Sequence, residues 1–403
     1  MSVNTLNFEQ ISTVLTSIVQ QATGQAVLTP TNTGDFTSVA QIALRADRDS
    51  VMEAISNVLG RTIFSIRPYS AKLDGLMFDT FRWGAVMRKL SIADSAWEDD
   101  SAFKWPALWD VNQTPPSGDG QSIDQWEIKK PNVLQTNFYG QSVYGDHMTI
   151  FEEQLETAFT GPEELGTFLS LLMTNLSNRL ELSNENIKRG LVANAIGALI
   201  AENNTDRVVH LLTEYNTATG QTYTSQQIYQ PANFGPFMKW VYSRVAQISD
   251  LMTEMSTKFQ TVITGKPVLR HTPYQDQRLY LYAPARHDID ARVLADTFHD
   301  TYLRYADVES VNFWQSISTP DSVNVTPAYT STAGVLTVPG SPVSQSDIFG
   351  IMFDRDCMGM TLLDRRVLST PLNVKGLYRQ LFVHCRQRVV FDNTEKCVVL
   401  LLD

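Results

Sequence analysis

The sequence predicts an α+β fold drawn out along one axis rather than closed into a ball. Three observations predict it. A single helical pattern runs for near 40 residues from Gly161-Pro162, a long two-stranded ribbon over residues 84–145 holds most of the tryptophans, and an α/β unit is inserted before a strand-rich C-terminal stretch.

Composition bounds what such a molecule does. A chain of 403 residues with 43% hydrophobic and 19% charged residues is that of an ordinary folded protein. A formal net charge of −11 argues against a broadly basic nucleic-acid surface and implies repulsion between free copies. Cys357, Cys385 and Cys397 show no CxxC spacing and are odd in number, so they read as buried, reduced thiols. No signal-peptide pattern opens the chain, and no apolar window approaches the length of a membrane span.

The elements follow in order. Leu6, Ile11, Val14, Leu15 and Ile18 make residues 1–22 a short amphipathic helical segment. Residues 23–47 hold Thr, Gly and Pro with few large apolar groups, and are expected to be an extended arm or linker. A helix is expected at 48–60, capped by Asp49 or Ser50 and stopped by Gly60. Residues 84–145 read as two long strands around the turn cluster "NQTPPSGDG".

The long helix starts at Gly161-Pro162, where proline suits the first turn and Glu163 and Glu164 suit its positive end. Leu165, Leu169, Leu172, Leu176, Leu180, Ile187, Leu191 and Leu199 form one stripe. At about 1.5 Å per residue it would run roughly 60 Å. Between 205 and 340, helices are expected at 234–258 and 288–303 with a strand at 278–283 between them. A Ser/Thr/Pro/Val-rich connection, 315–346, leads back to apolar strands broken by the turn "FDNTEK".

The ribbon poses the main problem. Trp83, Trp97, Trp105, Trp109 and Trp126 are five of the seven tryptophans, and Trp97, Phe103, Trp105 and Trp109 stand among five acids in "DSAWEDDSAFKWPALWD". A two-stranded ribbon is marginally stable by itself, so something outside it must cover these rings. The basic pairs Arg88-Lys89 and Lys129-Lys130 oppose the acidic run Glu98-Asp99-Asp100 on the same arm. Such segregated charge either guides head-to-tail docking of identical copies or is a solvated face.

The search for catalytic chemistry finds little. The six histidines include no HExxH, and neither GxSxG nor GxGxxG occurs. "FDRDC" (353–357) sets acids beside a cysteine, which disfavours a thiolate. "TGKP" (264–267) lacks the glycine and hydroxyl of a phosphate loop. No catalytic, cofactor or metal residue is therefore assigned. Were the chain an α/β enzyme instead, His271, Asp288 and Asp290 would be its participants.

The order of parts resembles the major capsid proteins of tailed bacteriophages, on their short-tailed, podophage-like branch. "NVLQTNFYGQSVYGDHMTIFEEQLETAF", leading into the long helix, is similar to their ribbon-to-helix junction, and "DIFGIMFDRDCMGM" with "STPLNVKGLYRQLFVHCRQ" is similar to their final return. The resemblance implies an N-terminal arm (1–45), an extended β-ribbon arm or E-loop (84–145) and an inserted axial domain (211–344). It also implies a peripheral domain in three parts (46–83, 146–210 and 345–403) carrying the long spine helix.

It further implies self-assembly, through pentamers and hexamers, into an icosahedral shell around a double-stranded DNA genome. The ribbon residues named above become inter-subunit interface candidates. A separate scaffolding protein and a portal protein are expected partners, packaged DNA is contacted weakly, and no membrane is involved. The protein is expected in the virion capsid, assembled in the host cytoplasm. Some relatives cross-link an arm lysine to a neighbour's asparagine; Lys129 and Lys130 are the arm lysines available here, but no motif identifies an acceptor and no cross-link is assigned. Shells of bacterial nanocompartments share the fold and are the alternative within structural proteins.

Overall fold

A computed structural model describes residues 8–24, 29–45, 54, 73–77, 87–93, 126, 132–138, 142–151, 154, 161–264, 266–284, 307–332 and 335–403. Helix α1 (Phe8–Thr23) is amphipathic as expected, burying Ile11, Leu15, Ile18 and Val19. A second helix, α2 (Thr33–Arg45), corrects the reading of residues 23–47 as extended. Its start is set by Asn32, whose Oδ1 accepts the Asp35 N–H at 2.9 Å while its Nδ2 donates to Asp35 Oδ2 at 2.8 Å. Phe36, Val39 and Ala40 then repeat on one face and enter the core, an apolar stripe of small membership. The helix expected at 48–60 lies outside the described residues except for Ala54, which is helical and buried.

Strands β1 (Met87–Ala93) and β2 (Asn132–Phe138) pair antiparallel from Met87↔Phe138 to Ala93↔Asn132. Strand β3 (Ser142–Phe151) follows, and then the long helix α3 (Pro162–Glu202) of 41 residues. Gly161 is its N-cap, with proline in the first turn. It ends at Asn203, whose left-handed conformation (φ 52°) lets its N–H reach Ile200 O. Short strand β4 (Val208–His210) leads into helices α4 (Leu211–Thr219), α5 (Ser225–Ile228) and α6 (Pro231–Thr253). Strands β5 (Gln277–Tyr282) and β6 (Asp307–Val311) come next. The helix expected at 288–303 lies outside the described residues.

Four three-residue strands, β7 (Val323–Val325), β8 (Thr330–Thr332), β9 (Val335–Thr337) and β10 (Val343–Gln345), make up the connection. The chain closes on β11 (Ile348–Asp354), β12 (Met358–Ser369), β13 (Tyr378–Phe391) and β14 (Cys397–Leu401).

Two sheets organise these strands. In the order β12-β13-β3, one antiparallel sheet turns Leu381, Val383, Cys385 and Ile150 toward α1, α2 and the first half of α3. A mixed five-stranded sheet has the order β4-β14-β11-β5-β6. Its strands alternate between two cores, which is why "CVVLL" and "IFGIMF" are apolar throughout. Cys397, Val399, Ile351, Phe353 and Tyr280 face the second half of α3. Val398, Leu400, Phe349, Met352 and Leu279 face α4 and α6. Helix α3 thus contributes Leu172, Leu176 and Leu180 to one core and Leu191, Ile196 and Leu199 to another. The last 56 residues, which sequence order alone treats as one return, supply the middle of the five-stranded sheet and the pairing partners of β3.

Candidate assembly interface

The base of the ribbon is held down by charge and hydrogen bonding. Alternation along β1 turns Lys89 and Ser91 toward the body and Arg88, Leu90 and Ile92 away from it. Lys89 Nζ donates to Asp392 Oδ2 at 2.8 Å and also to Glu395. Arg270 bridges the same place, with Nη2 donating to Ser91 Oγ at 2.8 Å and Nη1 lying 3.1 Å from Glu395 Oε1. Lys266 Nζ donates to the carbonyl of Val133 at 2.7 Å.

The acceptor of these contacts is the turn between β13 and β14, whose five residues, Asp392 to Lys396, are all buried. Asp392 Oδ1 takes the N–H and the hydroxyl of Thr394, closing the turn on itself. Thr261 N–H donates to Asn393 O at 2.9 Å. Lys396 Nζ donates to Glu254 O at 2.8 Å and Ser256 Oγ at 3.1 Å.

Burial shapes the protonation of this cluster. It opposes the charge on Lys89, but the carboxylates of Asp392 and Glu395 outweigh it and hold the ammonium above its ordinary pKa. Burial pushes the Glu395 carboxyl up, against the pull of Lys89 and Arg270. It brings Lys396 down to about 8.

The opposite face of the ribbon base is apolar and uncovered. Leu90 is 62% exposed and Ile92 64%, with Val133 beside them across the register. Ala93 and Asn132 are the last pair of this ladder. The outer face of the three-stranded sheet likewise shows Val143, Phe151 and Leu368, with the Phe382 ring stacked 5.5 Å from that of His147.

The sequence-named residues divide accordingly. Arg88 is exposed at the ribbon base, and Trp126 is exposed. Lys89 uses its charge inside its own chain, because the fold brings the Asp392–Glu395 turn beneath β1, which local charge runs do not reveal. Trp97, Glu98, Asp99, Asp100, Phe103, Trp105, Trp109, Lys129 and Lys130 lie outside the described residues, as do Trp83, Asp288 and Asp290. Sequence reading marks Arg270, in "VLRHTPYQ", as an ion-pairing residue but does not give its partners and does not mark Glu395; no local pattern shows either as a ribbon contact.

The residues weighed for chemistry fall elsewhere. His271 is exposed in a cleft of ≈ 850 Å³ beside Arg270 and Asp276. Cys357 is buried, and its hydrogen bond with Cys397 together with burial pushes its thiol up, away from a nucleophile. Among the described residues no cluster of His, Cys, Asp or Glu is arranged to hold a metal, and no helix is long and apolar enough to cross a membrane.

A known capsid structure shares this fold. The capsid structure of Staphylococcus phage Andhra superposes with a TM-score of 0.51 at 11% identity, covering 84% of this chain and 86% of that one. The capsid of cyanophage P-SCSP1u gives 0.44 at 12% identity, covering 83% and 89%. No curated protein matches the sequence. The family profile described as Phi29-like phage major capsid protein matches residues 15–401, nearly the whole chain. A nanocompartment shell receives no support from these matches. The chain belongs to the Phi29-like phage major capsid protein family, has the phage capsid fold, and is a structural subunit of a phage capsid built from many copies of itself.

Proposed function

We propose that copies of this chain close, through pentamers and hexamers, into an icosahedral shell around the double-stranded DNA of a tailed phage. In this reading the ribbon 84–145 is the arm that each copy lays over its neighbour. The observation that carries it is the two-sided ribbon base, bolted to its own body through Lys89, Ser91 and Val133 O, with Leu90, Ile92 and Val133 uncovered on the other side. Burying such a side chain stabilises by roughly 1.5–3 kcal/mol, and Trp97, Phe103, Trp105, Trp109 and Trp126 extend the supply of apolar surface along the arm. The donor and acceptor patches are different surfaces, as closed heterologous assemblies require. The uncovered outer face of the β12-β13-β3 sheet, with Arg366 and Arg386 exposed, has the chemistry to receive an acidic aromatic arm.

The divisions at 45, 83, 145, 210 and 344 belong to this reading as arm, peripheral and axial parts. So do a separate scaffolding protein, a portal protein, assembly in the host cytoplasm and weak contact with DNA. The net charge of −11 supports the last of these, since a container that gripped its genome would hinder filling and release. Electron microscopy of the purified protein, with and without a co-expressed scaffold, tests the assembly. Changing Trp105 and Trp109 together to Ser should leave the subunit folded and unable to form shells. Global unfolding of that variant would place the rings in an internal core and end the arm reading.

A further inference from the structure

The connection between β6 and β11 differs in chemistry from the rest of the chain. Residues 312–346 contain one side chain charged at neutral pH, Asp321. At the chain-wide 19%, a stretch of 35 would hold about seven, so charge has been left out of this surface. Asp321 itself lies against the body, where its carboxylate adds to burial in raising the pKa of Tyr282.

The excursion is anchored firmly. Trp314 is buried, and its Nε1 donates to Ile348 O at 3.0 Å. Asn194 Oδ1 on α3 accepts the Ala328 N–H at 2.7 Å, and Val325 packs so closely on the helix that a Cβ at Gly197 would sit 2.6 Å from its Cγ1. Strands β7 and β10 pair with each other, as do β8 and β9. Among the uncharged polar residues that this piece turns outward stand four large aliphatic ones: Ile317 is 77% exposed, Val335 61% and Val338 75%, with Leu336 between the last two.

Single exposed aliphatic residues are ordinary, but four on one excursion that carries a single charge mark a contact surface. Its occupant follows from charge. Two copies that each carry −11 repel, and that repulsion is least where neither charge nor its hydration must be displaced. Interface centres are depleted of charged residues in the same way. Nucleic acid would be recognised by Lys or Arg, and residues 312–346 have none. We infer that the excursion 312–346, through Ile317 and Val335–Val338, docks on a second copy of this chain in the assembled shell. This goes beyond the arm reading, because the excursion lies outside the ribbon.

Hydrogen–deuterium exchange of the peptide covering 335–338 tests it, comparing shells made of this chain alone with dissociated subunits. Protection in the shell is expected. Equal exchange in both, or protection that appears only in complete virions, overturns it, the second outcome assigning the surface to another virion protein. The paired variant V335D/V338D should lower shell yield at least tenfold by sedimentation while the free subunit melts as wild type does. The milder V335T/V338T should lower yield without adding charge, and serves if the acidic variant misfolds. Normal shells from a folded V335D/V338D subunit would sink this inference while leaving the arm reading intact. Normal shells from the Trp105/Trp109 variant would do the reverse.

Discussion

Lys89 donates to Asp392 at 2.8 Å, so the first strand of the ribbon is tied to the β13–β14 turn across 303 residues of sequence. Glu395 shares that ammonium and is itself shared by Arg270. The ribbon's departure from the body is thereby set by three elements meeting at one buried cluster.

Replacing Lys89 by Met removes the cation and leaves Asp392 and Glu395 buried beside Arg270. At pH 7 the free subunit should lose about 2–3 kcal/mol in urea unfolding. The sign with pH follows from the shifts. The Lys89 pKa is raised, so its contribution is fully present below 10.5 and is lost only as pH rises through the higher folded value. Glu395, also raised, takes up a proton in the folded state first as pH falls. The loss in K89M should therefore shrink at pH 5. An equal loss at both pH values would assign the effect to packing.

Lys396 gives the opposite slope. Its folded pKa near 8 lies below the unfolded 10.5, so between about 8 and 10.5 the unfolded chain binds the proton and the folded one does not. Its contribution to stability rises with pH across that window. The difference in unfolding free energy between wild type and K396M should grow with pH there and be flat below 7. Taking the difference cancels the contrary slope of Cys357, whose raised pKa makes stability fall with pH in the same region.

Gly197→Ala tests the seat of the excursion on α3. The new methyl would meet Val325 Cγ1 at 2.6 Å and Pro327 Cγ at 3.2 Å, neither the end of a flexible chain. A loss of about 1–3 kcal/mol is expected despite alanine's better helix propensity. A gain in melting temperature would show that the excursion moves away freely.

Arg189→Met tests the middle of α3. Arg189 is buried against Glu185 at 2.6 Å, lies over the Phe313 ring at 3.7 Å and donates to Phe313 O. Removing the guanidinium takes from the buried Glu185 its hydrogen bonds with Arg189, and from Phe313 its contacts, and about 3 kcal/mol should be lost. A second change, Glu185→Leu, should restore much of it, and a double variant no better than the single would refute the charge explanation.

How far these features were legible in sequence depended on how local their causes are. Helix α3 was readable from Gly161-Pro162 and its leucine stripe, because cap and period are both written in one segment. Strand β5 was readable from the alternation of "RLYLYA", and the C-terminal strands as apolar runs broken by the turn "FDNTEK". Helix α2 was missed because the buried apolar stripe among its described side chains is sparse, Phe36, Val39 and Ala40; the Asn32–Asp35 cap was the available signal. The ribbon pairing was readable, whereas the partners of Lys89 were not, since they lie at the far end of the chain and in a turn that looks like surface. That turn is charged yet buried because two other segments fold over it.

Helix α3 is the common wall of two cores, with Leu176 in one and Ile196 in the other. Neither half can melt while the other keeps its wall, so the lone subunit should unfold in a single transition despite having two sheets. A load applied at the ribbon base would pass through the Asp392–Lys396 turn into β14 and so to the helix packed against it, and the subunit would yield as one lever rather than hinge between its parts.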